Sequence, residues 1–127
     1  VAPMEGDVVP QVLAFLQQRT DQLLARGVAR ERIVLDAGIG FGKTVSQNFS
    51  LLARQEALLA GGPAWLAGWS RKSSLGNVTG QANAADRVAA SVAAAVLAVD
   101  RGARVVRVHD VRETVDALAV WQAMRSA

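Results

Sequence analysis

Apolar residues recur at helical spacing along the first stretch of the chain. Val9, Val12, Leu13, Leu16, Leu23 and Leu24, with the compact Thr20, fall on one face. Asp7 is placed to cap this helix, Pro10 is tolerated in a first turn that needs no N–H donor there, and Gly27 stops it after about Arg26. The period then changes: Ile33–Asp36 is a short apolar run ending in an aspartate and leading into Ala37, Gly38, Gly40 and Gly42. That pattern predicts a buried strand opening into a glycine-rich loop. A second helix is predicted over about Ser46–Ala60, with Phe49, Leu52, Ala53, Leu59 and Ala60 inward and Gly61-Gly62-Pro63 as its stop. The strand Ala64–Trp69 follows, then the turn Ser70-Arg71-Lys72-Ser73 and a polar connection, Ser74–Asn83. A third helix over about Ala85–Arg101 is nearly all Ala and Val, which implies small side chains packed closely on both sides, and Gly102 closes it. The third strand is Arg104–His109, and Asp110 and Glu113, at capping-box spacing, open a last helix over about Val111–Ser126. Val1–Gly6 reads as the tail of a loop.

The order α-β-α-β-α-β-α with short turns requires an α/β fold whose strands run parallel through right-handed crossovers. Three such strands would leave both edges bare, yet they are apolar enough to want neighbours on either side. The expectation is part of a larger sheet or barrel.

Composition narrows the chemistry. The 127 residues are 51% apolar, 5% aromatic and 20% charged, with one histidine and no cysteine, which removes thiol nucleophiles, Cys-ligated zinc and His-cluster metal sites. The net charge of +3 is dispersed, and no aromatic residues interleave with the cations, so nucleic-acid binding is not expected. No apolar run approaches the ~18–20 residues of a membrane span, and no stretch has a signal-peptide layout. Cytoplasmic residence is the default expectation.

All three strands end in residues that a packed core would not choose: Asp36 with the glycine loop, Ser70-Arg71-Lys72-Ser73, and Arg107-Val108-His109-Asp110. In a parallel sheet these tips share the rim where α/β proteins bind ligands. Arg107 and His109 lie on one face of the last strand and Val106 and Val108 on the other, which suits an anion site; solvated strand-end residues are the plainer reading. The plainer reading of Asp36 is a helix or turn cap, and that of Lys43 a solvated loop cation. Arg71 reads as surface or salt-bridged, and packing accounts for Trp65 and Trp69. Phe41, between glycines, is an odd residue to leave in water, and either plugs the loop onto the core or floors a ligand pocket. Ala37–Thr44, AGIGFGKT, also matches the phosphate-loop pattern except for its first glycine. The second apolar strand that a nucleotide-hydrolysing domain needs would be Arg104–Asp110, which carries Arg and His where apolar residues belong.

Taken together, LDAGIGFGKT, GWSRKS, RVVRVHDVRETVDAL and the Ala-rich stretch Arg87–Ala98 resemble dihydropteroate synthase, the folate-pathway transferase that sulfonamides target. The resemblance implies the later part of a (β/α)8 TIM-type barrel, joining 6-hydroxymethyl-7,8-dihydropterin diphosphate to 4-aminobenzoate with release of pyrophosphate. It implies that Asp36 holds the pterin's amide and amino edge, and that Lys72 bonds the pterin rim and orders the second substrate. Arg107 would lie against the ring and, with His109, hold the departing phosphates. Phe41 and Ser73 would shape the aminobenzoate pocket, and Gly68 belongs to the substrate-binding set; Lys43 matches the motif without a catalytic role. Lys72, Arg107 and His109 are thus the implied catalytic residues. Ala37 stands where the family usually has proline.

The match begins at the family's fifth helix. The first five strands, the Asn that coordinates Mg2+, the other pterin-edge Asp and Asn and two mobile loops lie outside it, so a complete site requires the N-terminal half of the barrel. A homodimer near the small-residue helix is implied as well. The alternatives are a phosphate-loop nucleotide-binding protein and a non-catalytic module derived from the barrel.

Overall fold

The computed structural model describes residues 4–127, so part of the predicted N-terminal loop tail lies outside the described residues. Helix α1 spans Val8–Ala25, and its cap is Asp7, whose Oδ1 accepts the Val9 N–H at 3.1 Å. The Arg54 guanidinium beside Asp7, together with that N–H, holds the carboxyl below its ordinary pKa. Val8, Val9, Val12, Leu16 and Thr20 are buried, and Thr20 Oγ1 satisfies itself by donating to Leu16 O at 2.8 Å. Leu23 is exposed, beyond the packed face.

Three strands, β1 (Val34–Asp36), β2 (Ala64–Ala67) and β3 (Val105–Val106), form a parallel sheet in the order β1-β2-β3. The register pairs Asp36 with Leu66 and Ala67 with Val106, which lines up the three C-terminal tips. The strands are shorter than their apolar runs, because each tip leaves the ladder to form a loop. Arg104 N–H to Trp65 O and Arg107 N–H to Ala67 O, each 3.0 Å, carry the pairing just past both ends of β3. Val34 and Val105, on the outer strands, remain 49% and 42% exposed, as bare sheet edges require.

The predicted second helix is two. Thr44 and Gln47 form a capping box for α2 (Val45–Ala53), and the chain breaks at Arg54 before α3 (Gln55–Leu59). The break turns the buried face to Asn48, Leu51, Leu52, Gln55 and Leu58, leaving Ala53 and Ala60 exposed, contrary to the periodic reading. Burial of Gln55 has a specific cause. Its Nε2 donates to Ala98 O at 2.9 Å and Arg101 O at 3.3 Å, so the buried amide is itself satisfied and joins α3 to carbonyls near the end of another helix. Gln55→Leu keeps the volume and removes the donor, and should lower unfolding free energy by about 2 kcal/mol in urea titrations.

The expected polar connection contains helix α4 (Ser73–Thr79), ended by Gly80 in the left-handed region. Ser74, Leu75 and Gly76 face inward there, a stripe too short and polar to register as periodic. Asn83 caps a 3-10 turn, Ala84–Asp86, so the next helix, α5 (Val88–Asp100), starts three residues later than predicted. Ser91, Ala94, Ala95 and Ala98 are buried, but Ala93 and Leu97 are exposed, so α5 packs on one side rather than both. Helix α6 (Val111–Arg125) lies against α5, with Trp121 Nε1 donating to Asp100 Oδ1 at 2.9 Å. Among the described residues, no helix is long and apolar enough to cross a membrane.

The core lies between the sheet and its helices. Ala37, Ile39, Leu51, Leu52, Trp65, Trp69, Leu75 and Ala98 all belong to it, and Phe49 meets Trp69 with ring centroids 5.1 Å apart. Trp65 and Trp69 are each 3% exposed, so packing does account for them.

Candidate active site

Each strand delivers its tip to the same rim. At the end of β1, Asp36 Oδ1 accepts the Gly38 N–H at 2.9 Å, and Oδ2 faces Arg107 Nη1 at 3.3 Å. Turn cap and charge partner are therefore one residue. The loop beyond closes on itself through Phe41 N–H to Gly38 O at 3.0 Å. Lys43 is not a solvated cation: its Nζ donates to Gly38 O at 2.8 Å and to Phe41 O at 3.0 Å. Burial lowers the lysine's pKa, and the Asp36 carboxylate acts in the opposite direction. A phosphate-binding loop needs that ammonium turned outward and its N–H groups unengaged. Here Gly40 N–H instead donates to the buried Asn48 Oδ1 at 3.3 Å, and Asn48 Nδ2 donates to Ser74 Oγ at 3.0 Å, tying the loop to α4.

Phe41 is 68% exposed, so it does not plug the loop onto the core. Lys72 Nζ lies 4.5 Å from the ring centroid, a cation–π contact that accounts for an aromatic residue left at the surface. Gly40 makes that approach feasible. Its φ is +89°, and a Cβ there would come within 3.1 Å of Lys72 Cδ.

At the end of β2, Gly68, Trp69 and Ser70 are buried and Arg71 turns the chain with φ +59°, a conformation costing a non-glycine residue about 1–2 kcal/mol. The surroundings over-determine it. Arg71 N–H donates to Ser91 Oγ at 2.9 Å, Arg87 Nη1 donates to Arg71 O at 2.8 Å, and Arg71 Nη2 pairs with Asp110 Oδ1 at 3.1 Å. The salt-bridged reading of Arg71 holds, and its partner corrects another expectation: the Asp110 carboxylate is taken by Arg71 and makes no side-chain cap for α6. Lys72 follows the turn, and Ser73 is exposed at the start of α4.

From the end of β3 onward, Arg107 and His109 are exposed while Val106 and Val108 are half-buried, the alternation expected. The Arg107 guanidinium lies across Gly68, where an added Cβ would fall 2.2 Å from Nη2 and 2.9 Å from Cζ. Ser70 Oγ accepts the His109 N–H at 3.0 Å and lies 2.8 Å from His109 Nδ1.

Asp36, Phe41, Gly68, Lys72, Arg107 and His109 thus share one rim, and Ser73 lies next in the chain to Lys72 without a hydrogen bond to any of them among the described residues. Sequence reasoning missed the supports: Asn48, Ser70, Ser91, Arg87 and Asp110. Asn48 was discoverable as a polar residue four after the Thr44 cap, in step with Leu51 and Leu52. The Asp36–Arg107 pair is open, with side chains 35% and 57% exposed, so it adds little stability and both charges remain accessible. An open groove of about 380 Å³ flanks Asp36, lined by Met4, Val12, Phe15, Gly38 and Lys43 among others. The rim is a half-walled surface. Among the described residues, no three His, Cys, Asp or Glu side chains gather where a metal ion could be held.

Known proteins match this chain closely. It is 48% identical to the dihydropteroate synthase of Neisseria meningitidis serogroup B, covering 98% of this chain and 45% of that protein. The dihydropteroate synthase of Stenotrophomonas maltophilia, solved with imidazole in its active site, superposes with a TM-score of 0.97 at 51% identity, over 100% of this chain and 48% of that one. That of Xanthomonas albilineans, in complex with 7,8-dihydropteroate, gives a TM-score of 0.97 at 46% identity over the same 100% and 48%. The chain spans about half the length of these relatives, TIM-type barrels of which its sheet and helices are a contiguous part. The family model for pterin binding enzymes matches residues 1–109, and the chain belongs to that family.

Proposed function

We propose that these 127 residues form the later portion of a single dihydropteroate synthase barrel domain, and that with the N-terminal half they join a pterin diphosphate to 4-aminobenzoate. The observation that carries this reading is the convergence of Asp36, Lys72 and Arg107 on one rim, with Asp36 and Arg107 3.3 Å apart and no buried partner committing either charge. A pterin presents an amide and amino edge of N–H donors. Asp36 Oδ2 takes that edge by exchanging an exposed ion pair, an exchange that costs little. Arg107, freed from the carboxylate, lies over the ring. In the reaction the C–O bond to the diphosphate breaks with its electron pair leaving on pyrophosphate, and the amine nitrogen of 4-aminobenzoate forms the C–N bond and releases one N–H proton to solvent. Arg107 and His109 stabilise the charge that develops on the departing pyrophosphate. Lys72 hydrogen-bonds the pterin rim, and Phe41 and Ser73 border the aminobenzoate. No step passes through Mg2+, whose ligands would come from the other half.

The product complex of the Xanthomonas relative supports this choice of ligand class. Leu97 on α5 and Val120 and Met124 on α6, all exposed, support a homodimer through the late helices.

The test is thermal unfolding of a complete barrel carrying this segment. Pterin diphosphate at about a hundred times its Kd should stabilise it by about 2.7 kcal/mol, and Mg-ATP should not. Pyrophosphate release should then require 4-aminobenzoate. Protection by Mg-ATP would favour a nucleotide-binding loop, and protection by neither ligand would leave a non-catalytic module.

A further inference from the structure

We infer that Ser70 is a positioning residue that fixes the tautomer of His109, so that the neutral imidazole presents Nε2–H to an anion at the rim. A serine hydroxyl has one proton to donate and two lone pairs to accept with. Ser70 Oγ already accepts the backbone N–H of His109 at 3.0 Å, and its second neighbour is His109 Nδ1 at 2.8 Å. Among the described residues Oγ has no third partner, and Ser70 is only 8% exposed.

Two arrangements are possible. If Nδ1 carried the proton, Oγ would accept twice and its own O–H would point into a packed region with no acceptor, at the cost of an unsatisfied buried donor. If Oγ–H donates to Nδ1, every group is satisfied. The proton of the neutral ring then resides on Nε2, which makes no hydrogen bond to any described residue. His109 is exposed, so that N–H is open to a ligand at the rim.

The consequence is chemical. A histidine that binds an anion by net charge loses its hold when deprotonated, whereas one held in the Nε2–H form keeps a directed donor while neutral. Ser70 supplies this from the buried end of β2, and its backbone is continuous with Arg71, which the Ser91, Arg87 and Asp110 contacts fix in place. The two-point grip on the His109 backbone and ring makes the donor's direction a property of the fold. That the anion is the departing pyrophosphate rests on the dihydropteroate synthase reading; the tautomer does not.

The experiment is nitrogen-15 NMR of histidine-labelled complete barrel at alkaline pH, with His109 assigned by the signal lost in His109→Gln. The expected signature is an unprotonated Nδ1 and a protonated Nε2. In Ser70→Ala the signals should shift toward a mixture of tautomers, and affinity for inorganic pyrophosphate should fall about tenfold. Ser70→Thr retains Oγ and should restore both. A protonated Nδ1 in the parent protein, an unchanged tautomer in Ser70→Ala, or equal losses in the Ala and Thr variants would overturn the assignment. A parent protein with the expected tautomer, and pyrophosphate binding that depends on Ser70, but no pterin turnover would count against the synthase reading alone.

Discussion

Lys72→Ala and Arg107→Ala, each made in a complete barrel carrying this segment, should each cut kcat by about 10²–10³-fold while leaving the unfolding midpoint nearly unchanged. The two halves of this expectation come from different features. Arg107 is exposed, and its ion pair with the half-buried Asp36 is open to solvent, so its removal takes little from the fold. Lys72 contributes a surface cation–π contact 4.5 Å above Phe41, worth about 0.5–1 kcal/mol at such a site. On the proposed function, their importance would lie in the reaction, where the diphosphate departs with growing negative charge beside a cation-like pterin methylene. Arg107 would meet the first, and Lys72 would orient the second by hydrogen bonding to the pterin rim. Losses at these positions should appear in kcat more than in KM, because the charge they answer is greatest in the transition state. Arg107→Lys keeps the charge without the planar fork and should recover only part of the rate. Near-parent kcat for both alanine variants would remove the assignment of this rim as the active site.

The alternation of strands with helices, the parallel sheet and the rim were legible because they depend on short-range patterns: helical spacing in Val9–Thr20, the apolar run into Asp36, and polar residues at three strand ends. What escaped depends on partners distant in sequence. Nothing local marks Gln55 as buried; its reason is a pair of carbonyls 43 and 46 residues away. Capping-box spacing at Asp110 and Glu113 was outweighed by a guanidinium arriving from Arg71, 39 residues earlier. Helix α4 was hidden because Ser73–Thr79 buries Ser, Leu and Gly rather than an apolar stripe. Phe41 looked wrong for water by composition alone, and only the position of Lys72 above the ring explains it. Lys43 matched a nucleotide loop in sequence, but its ammonium folds back onto two carbonyls of its own loop. The supporting residues of the site were therefore the least visible part of it.

Gly68→Ala, the smallest substitution available at the rim, should lower kcat/KM by about 10²-fold through a residue it does not replace. The added Cβ would fall 2.2 Å from Arg107 Nη2 and 2.9 Å from its Cζ, so the guanidinium cannot stay where it is. What must yield is the far end of a flexible, exposed side chain, not backbone, so the strand pairing of Ala67 with Val106 survives. Arg107 will swing off Gly68, carrying its Nη1 away from Asp36 Oδ2 and out of register with a ring bound between them. The expected result is a properly folded protein with an unchanged circular-dichroism spectrum and an unfolding midpoint within a few degrees of the parent. The damage should be confined to pterin affinity and turnover, and Gly68→Ala combined with Arg107→Ala should be little worse than Arg107→Ala alone, since both act on one group. Additive losses in the double variant would mean that Gly68 serves the pterin directly and not as the bed of Arg107.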